Sequence, residues 1–154
     1  MLQRKINFDR IYGIIQDWKW KELKVGLEKS LITSSDIISY ASLILKGEMV
    51  QFDKVLELSI AEENEVKEIL FDLADNEEKQ DLQKINSKWI FAIIYDAYLY
   101  LNNEIYNVID DVYTEFEYPK EISNLIGYMP CDDNRTMDEK LIEYIEIGKK
   151  EWCN

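Results

Sequence analysis

Carboxylates are the reactive side chains this chain holds in quantity. It carries 31 Asp and Glu against 18 Lys and Arg, a net charge of −13 over 154 residues, and it contains no histidine. Adjacent pairs such as Glu62/Glu63 and Asp110/Asp111 could do acid–base work only if the fold aimed both at one substrate, and neighbours on a helix point in different directions. Histidine is the side chain most used for proton transfer and metal ligation near neutral pH. Without it a carboxylate-bridged di-iron bundle has no Glu-x-x-His motif, and Cys131, beside Pro130, has no imidazole to activate it. Asp132-Asp133-Asn134 opens like a calcium loop but lacks the central glycine and the spaced oxygen ligands. There is no glycine-rich phosphate loop and no Gly-x-Ser-x-Gly elbow. The expectation is a protein with no catalytic residues, no cofactor and no metal site.

Binding is the chemistry that such a composition does suit. Residues 1–30 hold seven bases against four acids, whereas residues 57–81 hold ten acids against Lys67 and Lys79. Residues 104–117 add Glu104, Asp110, Asp111, Glu115 and Glu117 with no base. Two acidic clusters follow as candidate partner-binding sites. One is Glu65, Glu68 and Asp72; the other is Asp110, Asp111, Glu115 and Glu117 with Tyr106 and Tyr113 one heptad apart beside them. Tyrosine next to carboxylates gives an interface both contact area and hydrogen bonds, so the second cluster is the richer expectation and the first the blander, solvated face. A summed negative field steers basic partners and repels nucleic acid. A direct nucleic-acid ligand is therefore not expected, although an acidic protein can occupy the basic groove of a nuclease.

The elements that must position these residues read as helices. Apolar residues recur at helical spacing almost throughout, with only two prolines and five glycines to interrupt them. Ile11, Ile14, Ile15 and Trp18 form a first stripe with Asn7 as its N-cap, and Leu23, Leu27 and Leu31 continue beyond it. Trp18 and Trp20 cannot share a helix face, so one sits at a junction or stays accessible. Ser34 or Ser35 is expected to cap a helix carrying Ile37, Ile38 and Ala41 that ends by Gly47. Val55, Leu56 and Leu58 mark a short helix, and Val66, Ile69, Leu70 and Leu73 another. Residues 89–101 are apolar nearly all round, which predicts a central, buried helix in which Asp96 must find a partner or reach solvent. Trp89, Phe91, Tyr95 and Tyr98 then read as core rather than as a binding box. Ile105, Val108, Ile109 and Val112 give the next stripe, Pro119 starts a short helix through Ile126, and residues 127–134 form a loop. Leu141, Ile142, Ile145 and Ile147 give a last amphipathic helix.

The fold class expected is all-α, a compact single domain over residues 1–154 with about seven to nine helices. Cys131 and Cys153 fit neither a disulfide framework nor a metal pair, which suits a reducing cytoplasm. No apolar signal region follows the basic start, and the run from Trp89 is too short to span a bilayer, so no membrane partner is expected.

The run from Tyr113 to Ile122 (Tyr-Thr-Glu-Phe-Glu-Tyr-Pro-Lys-Glu-Ile), followed by Gly127-Tyr128-Met129-Pro130, resembles the C-terminal signature of a family of small acidic bacterial proteins of unknown function. The segments Val25–Lys29 and Ser34–Ala41, with Lys88-Trp89, are similar to that family's earlier parts, so that the resemblance covers roughly residues 20–130. Families of this kind are often found beside polymorphic or contact-dependent toxins, where they act as immunity proteins. The resemblance therefore implies stoichiometric neutralisation of a cognate toxin and supplies no catalytic residue; the acidic surface makes a basic nuclease the expected toxin. The tyrosines of the signature serve equally as a structural corner. A non-catalytic adaptor or regulatory protein that binds a basic host protein is the alternative, and an enzyme using carboxylates with Mg²⁺ is the third and weakest.

Overall fold

The computed structural model describes residues 6–127 and 134–153, and every regular element among them is helical. In chain order these are α1 (Phe8–Ile14), α2 (Trp20–Glu28), α3 (Ser34–Ile44), α4 (Phe52–Ser59), α5 (Val66–Asp75), α6 (Leu82–Tyr100), α7 (Ile105–Glu115) and α8 (Met137–Trp152). Short 3-10 segments occupy Glu63–Glu65, Asn102–Glu104 and Lys120–Leu125. The all-α expectation holds, and the eight α-helices among the described residues fall within the expected number. No helix among these residues is long and apolar enough to cross a membrane. The chain's contacts separate it into two compact units, one of Ile6–Asp9 and Asp17–Ile85, the other including Arg10–Gln16 and the chain from Asn86 on.

In the first unit α5 packs against α2, α3 and α4. Its buried stripe is the one its spacing predicts: Val66, Ile69, Leu70 and Leu73. Both tryptophans flanking Lys19 are buried, and Trp18 lies in the junction between α1 and α2. The Tyr40 hydroxyl donates to the Trp18 carbonyl at 2.8 Å, and the Tyr40 ring stands nearly perpendicular to Trp20, centroids 5.8 Å apart. The exposed N–H groups at the start of α2 are satisfied from two directions. Glu22 reaches back to the Lys19 N–H at 2.8 Å. Glu77, far along the chain, accepts from the Trp20 and Lys21 N–H groups at 2.9 and 2.7 Å. At α3 the cap is Thr33 rather than either serine. Its hydroxyl accepts from the Asp36 N–H at 3.2 Å while Asp36 accepts from the Thr33 N–H at 2.9 Å. The acid three residues on is what selects Thr33, because it completes a reciprocal pair.

In the second unit the core helix is α6 from Asn86 on. Trp89 through Ile94 are buried without interruption, as is Ala97, and only Leu99 and Tyr100 surface at the last turn. Asp96 finds its partner in Arg10, whose Nε and Nη2 donate to the two carboxylate oxygens at 3.0 and 2.9 Å. The same guanidinium lies 4.9 Å from the centre of the Tyr100 ring. On α7, Ile105, Val108, Ile109, Val112 and Tyr113 are buried. On α8 the expected stripe needs correction: Leu141 and Ile145 are buried but Ile142 and Ile147 are exposed. Residues 141, 145 and 148 share one face of a helix, so Gly148 joins Leu141 and Ile145 there, and Lys140 is buried beside them.

Candidate functional site

Half of the acids of residues 57–81 line a cleft. Along α5 and the turn before it, Glu65, Glu68, Asp72 and Asp75 follow at intervals of three and four, which lays them along one helix face. The opposite side of the cleft comes from α4, through Lys54 and Glu57. The cavity measures about 590 Å³, with Ile69 and Phe71 contributing its apolar surface. Five carboxylates therefore surround a single ammonium. That ammonium, Lys54 Nζ, lies 2.7 Å from Asp72 Oδ2. The hydrogen bond to Asp72 and then its charge hold Lys54 above the usual lysine range. Phe71 also draws cations, with Lys24 Nζ 4.5 Å and Lys67 Nζ 5.5 Å from its ring centre. Among the described residues no three acidic or cysteine side chains converge closely enough to hold a metal ion. The cleft offers spread negative charge around an apolar patch, which suits a basic protein surface.

The second cluster is arranged less openly than its spacing suggests. Tyr113 is only 5% exposed and belongs to the core of its unit. Tyr106 is half-buried and donates its hydroxyl to the Asp138 carboxylate on α8. Burial first, then that hydrogen bond and the Asp138 charge, drive the Tyr106 phenol far above its ordinary range. Asp111 and Glu115 are half-buried and engaged in interactions of their own. Asp110 and Glu117 stand exposed. Partial desolvation, and after it the Asp111 carboxylate, raise Asp110 above the usual carboxylate value. Of the residues singled out in the sequence, Glu65, Glu68 and Asp72 are thus gathered around one cleft, while the α7 set is partly withdrawn into the fold. Sequence reasoning missed Lys54 and Phe71. A lone base on a short helix and one more aromatic in an apolar stripe carry no signal of their own.

Cys131 and the Tyr128-Met129-Pro130 part of the signature lie outside the described residues, as do Asp132 and Asp133. Cys153 is half-buried, and that burial pushes its thiol up, away from the thiolate that a nucleophile needs. Residues 113–122 turn the corner from α7 into the 3-10 segment at Lys120–Leu125.

A family model described as an uncharacterized protein conserved in bacteria (DUF2247) matches residues 12–147. The chain belongs to that bacterial family. No curated protein and no solved structure matches it.

Proposed function

We propose that this family member is an immunity protein, which binds a cognate bacterial nuclease toxin in the cytoplasm and neutralises it stoichiometrically. The single observation that carries the reading is the cleft between α4 and α5, where five carboxylates surround an apolar patch and one lysine. A nuclease must present Lys and Arg to hold a phosphate backbone, and this cleft is the complement of such a surface. Long-range attraction speeds the encounter, and short-range contacts at the half-buried Phe71 slow release. The partner must displace or accommodate Lys54, which already occupies Asp72, and Lys24 and Lys67, which lie over the Phe71 ring.

The test is co-expression with the product of the neighbouring gene, with growth rescue and pull-down as readouts. Stopped-flow association of the purified pair then addresses the cleft. Rising salt should slow association steeply, because exposed charges are screened beyond about 8–10 Å at physiological ionic strength. Charge reversal of Glu65, Glu68 and Asp72 to lysine should lower the on-rate by about tenfold or more while dissociation changes much less. A salt-independent on-rate, with the triple variant still protecting cells, would reduce the cleft to a solubility feature.

A further inference from the structure

The end of α7 is closed by a turn that glycine would normally make. The Tyr118 N–H donates to the Tyr113 carbonyl at 2.7 Å, and the Glu117 N–H to the Thr114 carbonyl at 3.2 Å. These paired bonds define a Schellman closure, whose residue just past the cap takes a left-handed backbone that favours glycine. Here Glu117 has φ 61° and Tyr118 has φ 62°, so two successive side-chain-bearing residues adopt it. L-residues other than glycine visit that region as isolated exceptions, and strain of this sort is kept where the surroundings impose it for a use.

The conformation holds up a large aromatic ring. Tyr118 is 62% exposed, yet its ring stands edge-on to the buried Tyr113 with centroids 5.3 Å apart and planes at 73°. Pro119, at φ −65°, fixes the chain on the far side. The ring is thus displayed and immobilised at once. On its N-terminal side the chain is acidic, with Glu117 beside it and no Lys or Arg between residues 104 and 117, while the first base beyond it is the exposed Lys120.

We infer that Tyr118 is a preformed anchor for a basic protein surface, a second contact point distinct from the α4–α5 cleft. A rigid tyrosine loses little freedom when it is buried by a partner, and its face attracts Arg or Lys while the flanking carboxylates pair with them. The inference rests on the reading of this chain as a toxin-binding protein.

The probe is a catalytically inactive form of the neighbouring gene's product, measured against the full chain by calorimetry. Tyr118→Ala should weaken binding at least thirtyfold with an unchanged melting temperature, and Tyr118→Phe should stay within about threefold of wild type. In parallel, tetranitromethane should nitrate Tyr118 in the free protein and spare it in the complex, a readout that needs no variant. Wild-type affinity in Tyr118→Ala, or equal nitration with and without partner, overturns the anchor while leaving the toxin-binding reading intact. No binding by the wild-type chain overturns both.

Discussion

Gly148→Ala should be destabilising, although the glycine lies inside a helix. A Cβ built there would fall 2.9 Å from Cγ of Phe91 and closer still to Cδ1 and Cε1. Carbon atoms rest at about 3.5–4.0 Å, so the ring would have to retreat bodily. It has nowhere to go: Phe91 is 1% exposed and is flanked by Tyr95 and Tyr144, whose ring centroids lie 5.4 and 6.0 Å away. In an open helix, Gly→Ala gains about 1 kcal/mol of propensity. Forcing a methyl into a filled core costs about 1–3 kcal/mol. An overlap this deep belongs at the upper end of that range, so the two together predict that Gly148→Ala is destabilising by about 2 kcal/mol. Gly13, on α1, is the matched control, since a Cβ there meets nothing within 4 Å, and Gly13→Ala should be neutral or stabilising by up to about 1 kcal/mol. Urea unfolding of the two variants at constant m-value gives the difference. Combining Gly148→Ala with Phe91→Leu should recover part of the loss, because the two positions are coupled. A Gly148→Ala protein as stable as wild type would refute the tight α6–α8 packing from which the number is derived.

Trp89 is fully buried, and Trp89→Ala should cost about 3–5 kcal/mol in the same urea experiment; a change near zero would place the indole in solvent. Glu77→Ala removes the carboxylate that accepts from two N–H groups at the start of α2, for a loss of about 1.5–3 kcal/mol, with Glu77→Gln intermediate and hydrogen exchange at Trp20 and Lys21 accelerated in both. If exchange there is unchanged, the cap contributes nothing. Glu121 is raised above its ordinary value of 4.5, first by burial and then by the Glu151 charge, against the opposing hydrogen bond from Ser87. A raised folded pKa means that this group's contribution is full below 4.5 and is lost as pH rises through the folded value. Glu121→Gln should therefore raise the melting temperature at pH 7 and lose that advantage below about pH 4; a variant less stable at neutral pH would reverse the sign.

What the sequence by itself determined was the helical class and most of the buried stripes. Hydrophobic spacing is a local signal, and it places Val66, Ile69, Leu70 and Leu73 on one face of α5 without knowledge of the neighbours. It likewise marks the stretch from Trp89 as central, which holds through Ile94 before Tyr95 and Tyr98 become half-buried and Leu99 and Tyr100 exposed, and it requires a partner for Asp96. The identity of that partner, Arg10, is 86 residues away in the chain and could not be read from spacing. The same limit explains the other differences. Ile142 and Ile147 look as apolar as Leu141 and Ile145, yet the core takes Gly148 instead, because Phe91 fills the space where a side chain would be. Tyr113 and Tyr118 are chemically alike in the sequence. One is buried and the other displayed only because the chain turns through two left-handed residues between the helix and Pro119. Net charge announced an acidic surface, since charge is additive along a chain. Which carboxylates surround a common cleft depends on how α4 lies against α5, and only the tertiary structure decides that, by bringing Lys54 and Glu57 opposite Glu65, Glu68 and Asp72.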